Sequence, residues 1–335
     1  MSALLEVRDL TVRFRSKTAL RALVERDRHP WIEAVCDVSF SIGEGETMAL
    51  VGESGSGKTT LARAIIGLVE PAAGSIRFSG CEIGALSRGE MKRVRHDMAM
   101  MFQDPRGSLS PRLAVRQLIT EPYRIHDLKR RDLDAECRRL LGLVGLPAEF
   151  GERYPHQLSG GQARRVGIAR ALALDPKLIL ADEPTAGLDV SVQGEVLNLL
   201  ARLQDEIGLS ILMVTHNLNV VRHVADRVAI MYLGRFVETG PTEDVFRQPR
   251  HPYTAALLSA NPESDPDARM ARIELQGDVP SLLKRPSGCE FHTRCFRVQA
   301  TCRDVVPARG AAGRQDFTCH FPLSDELSIT ARRKG

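Results

Sequence analysis

The chain lacks any run of the roughly 18 or more apolar residues that a membrane-spanning helix needs. Its opening, MSALLEVRDL, also lacks the basic-then-apolar layout of a secretory signal. Membrane spans and secretion are therefore not expected. One-sided charge is missing too. Lys plus Arg total 46 against 42 Asp plus Glu, a net charge of +4 over 335 residues. So small an excess gives no whole-protein argument for nucleic acid or for an anionic membrane. No internal repeat or low-complexity tract stands out. What remains is 43% hydrophobic and 26% charged, which suits a folded chain with a buried core in one large domain or two modest ones. Cysteine is the unusual feature: there are seven, and four of them (Cys289, Cys295, Cys302, Cys319) crowd into the last fifth of the chain.

Residues 4–14 (LLEVRDLTVRF) alternate apolar and polar side chains and predict a half-exposed strand; residues 35–42 predict another. The polar, Arg-rich stretch 15–30 between them reads as a loop. Short apolar runs at 48–51, 178–181 and 210–215 are too short for helices and alternate with helix-like segments, one predicted over 59–68. That alternation predicts a parallel sheet covered on both faces. Residues 105–154, rich in Arg and Leu and without a clear strand, read as helical. AIMYLGRFV (229–237) resembles a hairpin around Leu233-Gly234. After about Asp244, Pro and Gly recur and regular periodicity is lost, which predicts a separate C-terminal appendage.

Gly52-Glu53-Ser54-Gly55-Ser56-Gly57-Lys58-Thr59 fits G-x-x-x-x-G-K-[ST] at every fixed position. Glycines let the backbone curl so that successive N–H groups face phosphate oxygens, and the following helix adds its positive end. Lys58 should reach the β- and γ-phosphates, and the Thr59 hydroxyl should bind Mg²⁺. Downstream, the apolar run 178–181 ends in Asp182-Glu183. Alone this would be an acidic turn after a buried strand. Behind a phosphate loop, Asp182 becomes a candidate Mg²⁺ ligand and Glu183 a candidate general base.

Leu158-Ser159-Gly160-Gly161-Gln162 begins 24 residues before Asp182 and opens a second helix start able to attract an anion. Two such termini in one chain suggest that the second serves another subunit's nucleotide. With these residues the sequence resembles the ABC transporter ATPase family over about residues 4–244. The phosphate loop, with Thr60 after it, is similar to the Walker A element, residues 158–162 to the LSGGQ signature, and Asp182-Glu183 to the Walker B pair. Gln103 resembles the Q-loop glutamine and a further Mg²⁺ ligand, Gly187-Leu188-Asp189 the D-loop, and His216 the switch histidine. Phe14 is placed like the aromatic that stacks on adenine, with Trp31 as the alternative. Ala163 and Ala186-Gly187 depart from the family pattern without removing a catalytic group.

The resemblance implies an α/β fold. Its P-loop NTPase (RecA-like) ABC ATPase core would span 1–244 with an antiparallel β subdomain and a helical subdomain at about 105–165. A C-terminal cysteine-containing extension would follow over 245–323, with a flexible tail at 324–335. It further implies that two cassettes dock head to tail. Each ATP would then lie between Lys58 of one and Ser159, Gly160, Gly161, Gln162 and Asp189 of the other, with Gln103, Glu183 and His216 acting on the water.

His251-Pro252-Tyr253-Thr254 resembles the motif that opens the C-terminal extension of oligopeptide/dipeptide importer ATPases, and Gly288–Cys295 (GCEFHTRC) resembles that extension's cysteine signature. The four cysteines are spaced x5, x6 and x16, without the C-x₂₋₄-C pair usual for zinc. A reducing cytosol disfavours disulfides. Four such thiolates suit a [4Fe–4S] cluster, with zinc or four reduced thiols as the alternatives.

The implied partners are a second ABC ATPase subunit, a paralogue or a copy, and two transmembrane permeases. An external substrate-binding protein would act indirectly. The implied place is the cytoplasmic side of the inner membrane, held peripherally. Related importers carry nickel complexes or other small solutes. A soluble ABC ATPase acting on nucleic acid is the rival class, disfavoured by the single phosphate loop and by the lack of sustained heptads before the signature.

Overall fold

A computed structural model of the chain describes residues 3–15, 31–128, 132–261 and 272–324. The chain opens with β1 (Leu5–Arg15) and β2 (Trp31–Ile42), antiparallel from Leu5↔Ile42 to Arg15↔Trp31. Most of the expected loop between them, and all but the first residue of the expected tail, lie outside the described residues. β3 (Thr47–Val51) leads through the glycine-rich loop into α1 (Lys58–Ile65). β4 (Ala73–Phe78) and β5 (Cys81–Glu82) complete an antiparallel sheet of order β2-β1-β4-β5. Next come α2 (Arg88–Val94) and β6 (Met98–Met101). Between β6 and residue 177 the described elements are helical: α3 (Val115–Ile125), α4 (Leu133–Leu143), two single 3₁₀ turns and α5 (Gly160–Ala171).

The second half alternates again, as β7 (Leu178–Asp182), α6 (Val190–Ile207), β8 (Ser210–Thr215), α7 (Leu218–Val224), β9 (Arg227–Tyr232) and β10 (Arg235–Pro241). The C-terminal segment adds α8 (Thr242–Arg247), α9 (Pro252–Ser259), α10 (Thr301–Asp304), β11 (Gly310–Ala312) and β12 (Gln315–Phe317). The large sheet has the order β11-β12-β10-β9-β3-β8-β7-β6, with parallel pairing from β9 to β6.

Continuous apolar runs make these central strands because both faces are covered. Leu178 and Leu180 enter the core beneath the antiparallel sheet, whereas Ile179 and Ala181 enter the core shared with the helical region. Met48 and Leu50 split from Ala49 and Val51 in the same way. The hairpin falls on Leu233-Gly234, whose φ values of 44° and 83° suit a two-residue turn between β9 and β10. Some bounds differ from expectation. α1 stops at Ile65 because Gly67, at φ 69°, turns the chain and lets the Leu68 N–H reach the Arg63 carbonyl. β2 begins four residues early, at Trp31. β6 had no sequence signal, since two of its four residues are half-buried and the run is short.

This topology gathers the loop ends. β3, β8, β7 and β6 are parallel neighbours, so the segments that leave their C-terminal ends emerge on one edge of the sheet. Those segments contain the phosphate loop, His216, Asp182-Glu183 and Gln103. The C-terminal segment returns to the opposite end of the same sheet, where Glu238 of β10 pairs with Phe317 of β12. Tyr232, Tyr253 and Phe291 pack there with ring centres 4.8–5.3 Å apart.

Candidate functional site

The phosphate loop is shaped by backbone constraints. Gly57, the N-cap of α1, sits at φ 102°, and a Cβ there would collide with the Ala34 carbonyl oxygen. A Cβ on Gly52 would likewise collide with the Met231 carbonyl. Ser54 and Gly55 are exposed, Ser56 is buried, and Thr59 and Thr60 are half-buried at the start of α1. The Lys58 ammonium is buried in the loop it follows, donating to the carbonyls of Gly52 (2.7 Å) and Glu53 (2.9 Å) and to Ser56 Oγ (3.2 Å). Burial holds its pKa below the ordinary lysine value, against the pull of Glu183, Asp182 and Glu53. A desolvated cation surrounded by loop carbonyls is suited to exchange them for phosphate oxygens.

Opposite the loop, the Thr59 hydroxyl donates to Asp182 Oδ1 at 3.2 Å, joining two of the three candidate Mg²⁺ ligands across 123 residues. Burial raises the Asp182 pKa, while the Thr59 hydrogen bond lowers it. A buried carboxylate beside a hydroxyl suits a hard cation. Among the described residues no group of three or more His, Cys, Asp or Glu is placed to hold a metal ion by itself. Mg²⁺ at a phosphate site takes most of its ligands from phosphate and water, so Thr59 and Asp182 fit it.

Glu183 follows in a left-handed conformation, φ 48°, tied down by its N–H to the Val214 carbonyl at 2.8 Å. A non-glycine residue held there stores strain. Gln103 Nε2 donates to Glu183 Oε2 at 2.8 Å, and His216 Nδ1 lies 3.1 Å from Oε1. The three side chains named from three separate segments thus meet on one carboxylate.

The signature residues form the cap of α5. Ser159 Oγ accepts the Gln162 N–H at 3.2 Å, and Gln162 Oε1 accepts the Ser159 N–H at 3.0 Å. Gly160 and Gly161 lie close to Leu188 and Val192, so the signature is packed against the Gly187–Asp189 segment. Asp189 occupies the N-cap position of α6, yet its carboxylate makes no capping hydrogen bond. Ala163 is fully buried, so this departure fills a core position. Arg164 carries no sequence signal that sets it apart from its neighbouring arginines. It is 1% exposed and donates to the carbonyls of Phe102, Gln103 and Ala186, bracing the Gln103 segment against the signature helix. Phe14 and Trp31 are both partly exposed. Phe14 lies two residues beyond the buried Val12, whereas the Trp31 ring is covered by the Arg15 guanidinium at 5.2 Å.

Cys289, Cys295, Cys302 and Cys319 line one small enclosed cavity with His251, Phe291 and Phe321. Burial pushes the Cys289 and Cys319 thiols up to about 11 and about 12, and the neighbouring cysteines add to the rise. Zinc would draw its sulfurs to about 3.8 Å from one another. Among the described residues the four cysteines form no group placed to hold a metal ion. Cys36 and Cys137 are buried and Cys81 is exposed, all outside this cavity.

The cysteine segment also touches the phosphate loop, a contact with no sequence signal. Arg294 donates from Nη1 and Nη2 to Glu53 Oε2 and Oε1 at 2.7 and 3.0 Å, and the Tyr253 hydroxyl accepts the Glu53 N–H at 3.0 Å.

A family model described as ABC transporter matches residues 35–186, and one described as oligopeptide/dipeptide transporter, C-terminal region, matches residues 237–302. The chain is 44% identical to the oligopeptide transport ATP-binding protein of Salmonella typhimurium over 320 residues, covering 94% of this chain and 95% of that protein. It is 42% identical to the di/tripeptide transport ATP-binding protein of Pseudomonas aeruginosa over 321 residues, covering 96% and 98%. Among solved structures, a dimeric post-hydrolysis state of an ATP-binding cassette bound to ADP and Pi superposes with a TM-score of 0.61 at 29% identity, covering 71% of this chain and 98% of that one. A component of an ABC transporter complex from Clostridium perfringens superposes with a TM-score of 0.62 at 28% identity, covering 73% and 91%.

Proposed function

We propose, from the premise that this chain belongs to the ABC transporter family of ATP-binding subunits, that it hydrolyses ATP to energise the import of di- and oligopeptides. The observation that supports hydrolysis most strongly is the Glu183 carboxylate, held between Gln103 and His216 at 2.8 and 3.1 Å. Lys58 turns from the loop carbonyls to the β- and γ-phosphates, and Thr59 and Asp182 would hold Mg²⁺, which would offset the charge of those phosphates. Gln103 and His216 orient a water, and Glu183 takes its proton as the water oxygen bonds to the γ-phosphorus. The β–γ bridging bond breaks, giving ADP and phosphate.

The second half of the site belongs to a second cassette, a paralogue or a copy. Ser159–Gln162 and Asp189 of one chain would complete the ATP site of the other, a reading supported by the Asp189 carboxylate that caps nothing. Phe14 is the preferred adenine partner, because Trp31 already stacks under Arg15. We divide the chain into a cassette, 1–244, and an importer-type extension, 245–323. The shared cavity supports a [4Fe–4S] cluster on Cys289, Cys295, Cys302 and Cys319. Such a cluster would supply four covalent ties to a segment with little regular structure.

No helix of the described residues is long and apolar enough to cross a membrane. Two permeases would therefore form the pathway, fed by an external binding protein, with this subunit on the cytoplasmic face. Reconstitution with co-purified permeases tests the reading. ATP turnover should rise on adding a peptide-loaded binding protein. Stimulation by nickel complexes alone, or tight binding to RNA or DNA, would contradict it.

A further inference from the structure

Glu53 places a carboxylate inside the loop that cradles triphosphate. Left free, it would repel the nucleotide and compete for Lys58, whose Nζ already lies 2.9 Å from the Glu53 backbone carbonyl. The C-terminal segment occupies that carboxylate instead. Arg294, whose side chain is 8% exposed, grips both oxygens in a two-pronged ion pair, and Tyr253 fixes the adjoining N–H. A second brace lies beside it. Arg285 Nη2 donates to the Glu33 carbonyl at 2.6 Å and lies 3.1 Å from Cys36 Sγ, on the strand against which Gly57 packs.

We propose that Arg294 and Tyr253 are positioning residues for the ATP site. They turn the Glu53 carboxylate away from the phosphates and make nucleotide affinity depend on the C-terminal segment. Arg294 neighbours Cys295 in sequence, so whatever orders the cysteine cavity also orders the clamp. The inference rests on the reading that residues 52–59 bind ATP.

Titration of the full-length chain with MgATP tests it. Arg294→Ala should weaken ATP binding about tenfold, the scale of a lost charge-assisted pair, and Arg294→Lys should fall between. The deciding variant is the double, Glu53→Gln with Arg294→Ala. Removing the unpaired charge should restore most of the lost affinity, which a merely structural role for Arg294 would not allow. Should Arg294→Ala fold poorly, Arg294→Lys with and without Glu53→Gln makes the same comparison. Wild-type affinity in Arg294→Ala, or a double no tighter than the single, would overturn the inference. Failure of the wild-type chain to bind MgATP would overturn the ATP-site reading instead.

Discussion

The phosphate loop and the cysteine region touch through one ion pair, yet they are ordered by different physics. The loop is a backbone structure. It leaves a strand whose five residues are all buried, and at Gly52 and Gly57 even one added carbon would strike a neighbouring carbonyl. The cysteine region has little regular backbone: between residues 272 and 324 the described elements are a four-residue helix and two three-residue strands. Side chains converge there instead, as four cysteines on one cavity, three packed rings and, among the described residues, three arginine–glutamate pairs. A site built from backbone leaves a spaced motif in the sequence, whereas one built from converging side chains leaves only its residue types.

Gly57→Ala breaks the comparison on the loop side. The new Cβ meets the Ala34 carbonyl at a φ that side chains resist, so ATP binding should be lost along with roughly 2–4 kcal/mol of stability, read by nucleotide titration and thermal melting. On the other side, anaerobically purified protein should be brown, absorbing near about 400 nm as thiolate-bound iron–sulfur clusters do. Cys302→Ser should lose most of that iron. A colourless wild-type protein with stoichiometric zinc would contradict the cluster.

A pH effect sharpens the comparison where the cassette meets the C-terminal segment. Glu238 accepts the N–H groups of Arg250 and His251, and burial raises its pKa from 4.5 to about 7 against the pull of those bonds and of Thr254. A carboxyl raised in the folded state keeps a proton that the unfolded chain has lost. Its contribution is therefore full below about pH 4.5 and declines as pH rises through about 7. Across that window the stability of wild type relative to Glu238→Gln should fall by roughly 3 kcal/mol, as melting curves at pH 5 and pH 8 will show.

Much of the cassette was legible because its strands are buried on both faces and its loop needs glycine. The runs at 48–51, 178–181 and 210–215 all lie within strands, and the Leu233-Gly234 turn fell where expected. Other parts had no readable period. β6, which leads to Gln103, is four residues with only its ends buried. Arg164 sits in ARRVGIARALAL, where arginines suggest a solvated face, and its burial is explained only by three carbonyls from two other segments. The Glu53–Arg294 pair joins residues 241 apart, and no local pattern announces a partner at that distance.

The central claim is that Glu183 removes the proton from the attacking water while other residues hold the nucleotide. MgATP binding and MgATP turnover, measured on the same preparations of wild-type and Glu183→Gln protein, test it most directly. Binding should stay within about threefold while turnover falls by about a hundredfold or more, the usual loss of a general base. Turnover in the variant close to that of wild type would contradict the account.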